Sequence, residues 1–305
     1  MNSAFAADPP KLLVPKDGAP PVGPYSPGLE TDEYVYVSGQ GVRDSKSQMP
    51  EGIEAQTKQC IDNVRVILEA AGLSLKNVVS VQLYVSDFAT LPVVEKLYTA
   101  AFDKNPPRVT LGMARMPTDT TVEITVVARK DVKTPADRTY LPAVYGSSAR
   151  DAELKLRAAL QRRGMTMKNV VYANRYAVGP GAPEGVVPVN QLPDGATHAI
   201  FAVAAKTEPA GLVFCEVTAS DPKGTIEDQT SNVFGKLKTC LAAKGFALSN
   251  IVATNVYVDD LVDFTKMNGV YATFFADQKP TRTTVQPLAP AKKGSLVRIS
   301  AVAVR

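Results

Sequence analysis

The feature that most constrains this chain is that it repeats itself. Residues 56–85 read QTKQCIDNVRVILEAAGLSLKNVVSVQLYV, and residues 229–258 read QTSNVFGKLKTCLAAKGFALSNIVATNVYV, in step and without a gap. Residues 149–178, ARDAELKLRAALQRRGMTMKNVVYANRYAV, follow the same plan. Each begins with apolar residues at helical spacing: Ile61, Val64 and Leu68, then Leu156 and Leu160, then Phe234, Leu237 and Leu241. Each then places a glycine (Gly72, Gly164, Gly245) where a helix stops in the left-handed conformation. An alternating strand follows, as in Val79, Val81, Leu83 and Val85. Repetition of one α+β unit predicts stacked or ringed copies rather than one large core.

The copies also end alike. Residues 108–129, 187–206 and 282–305 each read strand, proline-containing turn, strand. A second helix is predicted between the halves of the outer copies, over Leu91–Phe102 and Phe264–Phe275. The middle copy has Gly179-Pro-Gly-Ala-Pro-Glu-Gly185 there, which no helix interior tolerates. The expected units are a tail at 1–14, then 15–133, a shortened 137–207 and 208–305, with linkers short enough to favour packed copies.

Composition narrows the function. The net charge is +4 with both signs interspersed, which is no nucleic-acid signature. No apolar run is long enough to cross a bilayer. Three cysteines (Cys60, Cys215, Cys240) and the single His198 cannot supply a structural zinc site, and one thiol must stay free within a monomer. A lone histidine also disfavours a Ser–His or Cys–His nucleophile pair. Near the N-terminus Ala4-Phe-Ala-Ala7 resembles the small-residue end of a secretory signal, so cytoplasmic and periplasmic or secreted locations both stay open.

The first copy carries Gly23-Pro-Tyr-Ser26, Val37-Ser-Gly-Gln40, Leu97-Tyr98, Pro106-Pro-Arg108 and Val122-Glu-Ile124. In order and spacing these resemble the RidA (YjgF/L-PSP) family over nearly all of residues 15–130. The third copy resembles it through Asn268-Gly-Val-Tyr271 and Pro280-Thr-Arg282. The resemblance implies a chorismate-mutase-like α+β unit: an antiparallel sheet with two helices on one face, assembled as a trimer with ligand clefts between neighbours. It implies hydrolysis of 2-aminoacrylate-like enamines and imines to 2-oxo acids and ammonia, with no cofactor or metal. Arg108 matches the carboxylate-binding arginine, Glu123 the acid that holds or activates water, and Tyr25 the cleft tyrosine. Ser38 and Gly39 match the cleft floor, and Thr110 stands where many members have cysteine.

An arginine fork suits a carboxylate through two hydrogen bonds, and a carboxyl facing an apolar cleft can exchange protons near neutrality. Glu95 replaces the family's usual asparagine, an added negative charge that either weakens carboxylate binding or selects an amine-bearing substrate. Arg282 and Asn268 mark a possible second site, with Arg298 at its acid position and Cys215 and Glu216 aligned with Ser38 and Gly39. In the middle copy Ala199 takes the acid position and Glu184 lies near the arginine position. The expected partner is a small carboxylate substrate, with neither nucleic acid nor membrane. The chain is expected to be either a monomeric pseudo-trimer or a homo-oligomer, and an enzyme or, alternatively, a small-carboxylate-binding or scaffold protein.

Overall fold

A computed structural model describes residues 9–207, 209, 211–219, 223–275, 277–290 and 293–305. The signal-like segment at 2–8 lies outside the described residues. The first copy runs β1 (Lys11–Leu13), β2 (Gly28–Glu30), β3 (Tyr34–Gln40), α1 (Ile53–Glu69), β4 (Val78–Val85), α2 (Leu91–Ala101), β5 (Arg108–Gly112) and β6 (Val122–Arg129). The second runs β7 (Thr139–Tyr140), β8 (Val144–Gly146), α3 (Ala149–Gln161), β9 (Val170–Val178), β10 (Val186–Val189) and β11 (His198–Ala204). The third runs β12 (Leu212–Thr218), α4 (Ile226–Ala242), β13 (Ile251–Val258), α5 (Phe264–Thr273), β14 (Thr281–Val285) and β15 (Val297–Val304). The N-terminal tail is not all tail, because β1 pairs with β2 at the sheet edge.

Each copy makes its own sheet, ordered β1-β2-β3-β6-β4-β5, β10-β9-β11-β7 with β8 also on β11, and β12-β15-β13-β14. The sheets are mixed rather than purely antiparallel: β4–β5, β9–β10 and β13–β14 run parallel. A parallel neighbour needs a crossover, and α2 and α5 supply it in the outer copies. In the middle copy residues 179–185 make that return without a helix, through Gly179, Gly181 and Gly185 at positive φ.

The helices stop and start where local chemistry requires. Gly72, Gly164 and Gly245 all hold positive φ one turn past a helix. Ser148 caps α3 by accepting from the Asp151 amide, and Thr225 forms a capping box with Asp228. Among the described residues no helix is long and apolar enough to cross a membrane.

One face of each sheet is covered by its own helices. Val64, Ile67 and Leu68 of α1 pack on Val81, Leu83, Ile124 and Val126, and Phe234, Leu237 and Leu241 of α4 on Val256, Ile299 and Ala301. The opposite faces cover one another. Tyr84, Tyr176 and Tyr257 occupy the same rung in the three copies, and all three belong to one buried cluster with Val109, Leu111, Val189, Phe201 and Val285. The three copies therefore close a ring around a shared core. Each joint is also hydrogen-bonded. Gly112 exchanges backbone bonds with Asn190 and Gln191, Leu288 donates to the Pro188 carbonyl, and Arg282 N–H donates to Ser38 Oγ at 2.8 Å. The first linker is pinned: buried Arg138 donates to Asp137 and to Tyr36 Oη and lies 4.2 Å over the Tyr34 ring.

A disulfide, Cys215–Cys240, ties β12 to α4, leaving the buried Cys60 free with its thiol directed at the Gln40 carbonyl. Closing 25 residues of chain is worth ~3 kcal/mol in the chain-entropy account. Cys240→Ser should lower the thermal midpoint, and reductant should do the same to the unaltered protein but not to the variant. A ring already closed within one chain should sediment as a single 32.5 kDa particle. A particle of three times that mass would place the ring contacts between chains instead.

Candidate active site

Arg282 is the least satisfied charge at any joint between copies. It lies on β14 beside Thr254, the rung that Arg108 takes beside Val81 in the first copy. Its side chain is 3% exposed, yet Nη1 and Nη2 have no hydrogen-bond partner. Aromatic rings surround it: Tyr271 at 4.8 Å, Tyr25 at 5.1 Å and Phe264 at 5.6 Å from the guanidinium carbon. Asn268 Oδ1 is also buried and unpaired. Burial lowers the pKa of Arg282, while Tyr271, Tyr25 and Glu123 act against that. An arginine held dry with both terminal nitrogens open is costly unless an anion completes it.

Glu123 reaches the same cleft from the first copy. It lies on β6 opposite Tyr84, on the face turned away from α1 and α2. On an isolated unit this face would meet solvent. Here the third copy covers it and Glu123 is 6% exposed. Burial pushes its pKa up to about 8, and Arg282 offsets only part of the rise. A Cβ on Gly39 would overlap Glu123 Oε1, so glycine there is what lets the carboxyl lie flat on the β3 backbone. At Gly23 a Cβ would come within 2.5 Å of Arg282 Nη2. Tyr25 accepts from the Val22 amide at 3.2 Å, and burial raises its pKa, so its proton stays available to a ligand. Ser38 lies beneath, donating to the Ser26 carbonyl at 2.6 Å and accepting from Arg282 N–H. Thr120, Thr284 and Arg43 line the rest.

The pairing expected within the first copy is not what the fold provides. Glu123 on β6 and Arg108 on β5 are two strands apart, with β4 between, and three rungs out of step, Arg108 beside Val81 and Glu123 beside Tyr84. Arg108 instead faces the second copy, where Thr110 N–H donates to Tyr145 Oη and Ala199 occupies the acid's rung. Its Nη2 bonds both oxygens of Glu95, at 2.8 and 2.9 Å. Thus Tyr25, Gly39 and Glu123 line one cleft with Arg282, with Ser38 bonded to the Arg282 amide and Asn268 beside the guanidinium, while Arg108 and Thr110 line a different one. The third joint has no such set: Arg298 pairs with Glu216 and donates to the Gly185 carbonyl. Register also revises one alignment. Cys215 lies against Ala301 as Val37 lies against Val126, so Glu216, not Cys215, falls at the Ser38 position.

The Endoribonuclease L-PSP family model matches residues 16–130 and 216–305. The chain belongs to that family, also known as RidA/YjgF. A RutC family protein of Saccharolobus solfataricus is 40% identical over 124 residues, which is 39% of this chain and 98% of the relative. The 2-iminobutanoate/2-iminopropanoate deaminase of Escherichia coli is 31% identical over 123 residues, 39% of this chain and 96% of that protein. The crystal structure of the YjgF gene product of E. coli aligns with 30% identity over 39% of this chain and 98% of its own, at a TM-score of 0.38.

The raised pKa of Glu123 has a stability signature. The folded state holds the proton more tightly than the unfolded state, so stability is lost as pH rises from about 4.5 to about 8. Glu123→Gln removes this penalty. The variant should match the parent near pH 4.5 and exceed it by ~2–3 kcal/mol near pH 7, read from urea unfolding at a series of pH values.

Proposed function

We propose that the cleft between the first and third copies hydrolyses small enamine and imine carboxylates to 2-oxo acids and ammonia. The observation that carries this reading is the juxtaposition of an unpaired, buried Arg282 with the buried carboxyl of Glu123, whose pKa burial raises. Arg282 takes the substrate carboxylate through its two open nitrogens, and Asn268 fixes the orientation. An enamine reaches the imine by moving a proton from nitrogen to carbon. Protonated Glu123 then donates to the imine nitrogen, making its carbon more electrophilic. Water adds to that carbon, and the Glu123 carboxylate so formed takes the proton the water loses. The carbinolamine collapses as that proton passes to nitrogen: ammonia leaves, the C=O bond forms, and the Glu123 carboxylate takes the hydroxyl proton, which restores the acid for the next turnover. The Tyr25 hydroxyl is placed to hold the water or the developing alcohol. Kinship with 2-iminobutanoate/2-iminopropanoate deaminases supports the same chemistry. Nothing in the sequence of steps draws on a cofactor.

The measurement is ammonia release from enzymatically generated 2-aminoacrylate and 2-iminopropionate. Arg282→Ala and Glu123→Gln should each lower kcat/KM at least about a hundredfold, as loss of a buried charged contact or of the proton donor implies. Arg108→Ala should leave it within about twofold. The kcat/KM profile should fall above pH about 8 as Glu123 loses its proton. Tight carboxylate binding without any turnover would replace the hydrolase reading with that of a binding protein.

A further inference from the structure

The second cleft, between the first and second copies, is not a faded duplicate of the first. We infer that it binds an α-amino acid with an apolar side chain as a zwitterion, the carboxylate on Arg108 and the ammonium on Glu95. The inference is independent of the hydrolase reading.

Charge complement is the first ground. On equivalent rungs of α2 and α5, Arg108 is accompanied by Glu95, whereas Arg282 is accompanied by the neutral Asn268. One cleft presents an uncompensated cation and matches a monoanion. The other presents one cation and one anion side by side and matches a ligand bearing both. A 2-oxo acid entering it would set its carboxylate against that of Glu95. An amino acid meets an opposite charge at each end.

Open valence is the second ground. Arg108 spends only Nη2 on Glu95, and its Nη1 is buried with no partner. The guanidinium lies flat over the Tyr98 ring at 4.2 Å, which aims the free edge. Glu95 keeps 32% of its side chain exposed, so its outer lone pairs are reachable. An ion pair this open contributes little to stability, so folding alone gives no reason to keep it.

The walls are the third ground. Phe88, Leu91, Pro142 and Leu192 line the same cleft and offer an apolar side chain a place to lie. The acid's rung is Ala199, so no counterpart of Glu123 donates a proton there. The cleft is equipped to hold an amino acid and leave it unchanged.

The test is isothermal titration of L-leucine into the intact protein, Glu95→Gln and Arg108→Ala, with 4-methyl-2-oxopentanoate as the matched anion. Glu95 is exposed enough that glutamine should not disturb the fold. L-leucine should bind the intact protein and bind Glu95→Gln and Arg108→Ala at least about tenfold more weakly, since each loses a charge-assisted contact. Glu95→Gln should in turn bind one equivalent of the oxo acid more than the intact protein does, because removing the carboxylate converts the cleft to one suited to a monoanion. Failure of L-leucine to bind at millimolar concentration overturns the inference. Equal affinity in all three proteins overturns it too, by placing the amino acid elsewhere.

Discussion

The structure depends on the mutual burial of three sheet faces that no helix covers. Each copy has helices for only one face, and the other carries Tyr84, Tyr176 or Tyr257 with its aliphatic neighbours. Left in water, those faces would forfeit the hydrophobic gain of several large side chains per copy. Packing them around a common axis recovers it, and the clefts lined by Arg282 and by Arg108 lie at the joints so formed. It is this packing that dries Glu123 and Arg282, so the same contact that stabilises the ring also sets the chemistry.

Three joints of one design have been given three electrostatic outcomes. One brings a buried acid to an unpaired arginine. One pairs its arginine with a glutamate on the neighbouring helix and lacks the acid. One puts an arginine where the acid would stand and ties it to Glu216 and the Gly185 carbonyl. The substitutions are few, and each acts through charge rather than shape. The loss of a helix from the middle copy has the opposite character: its glycine-rich return keeps β10 parallel to β9 and so preserves the sheet edge that the neighbours need.

Much of this was legible in the chain. Helix spacing, the stop glycines and the alternating strands placed the elements, because those signals are local. Glu123, Tyr25 and Gly39 were recognisable by motif and line one cleft, with Ser38 beneath it. Assigning Arg108 to that cleft failed for a geometric reason: motifs written along one copy are read as one site, whereas sheet order holds β5 and β6 apart and hands each arginine to the next copy. That Glu123 is buried was not legible, since alternation tells which face a side chain takes but not what covers that face. Parallel pairing of β4 with β5 and the Cys215–Cys240 bond likewise depended on long-range contacts.

The pinned linker at Arg138 and the covalent joining of the copies have a consequence for concentration. A cleft shared by separate chains exists only while those chains stay associated, and its occupancy falls on dilution. When both walls belong to one polypeptide, the partner's effective concentration is set by tether length and never approaches that of the bulk solution. Dilution therefore does not by itself take apart a cleft whose two walls are covalently joined.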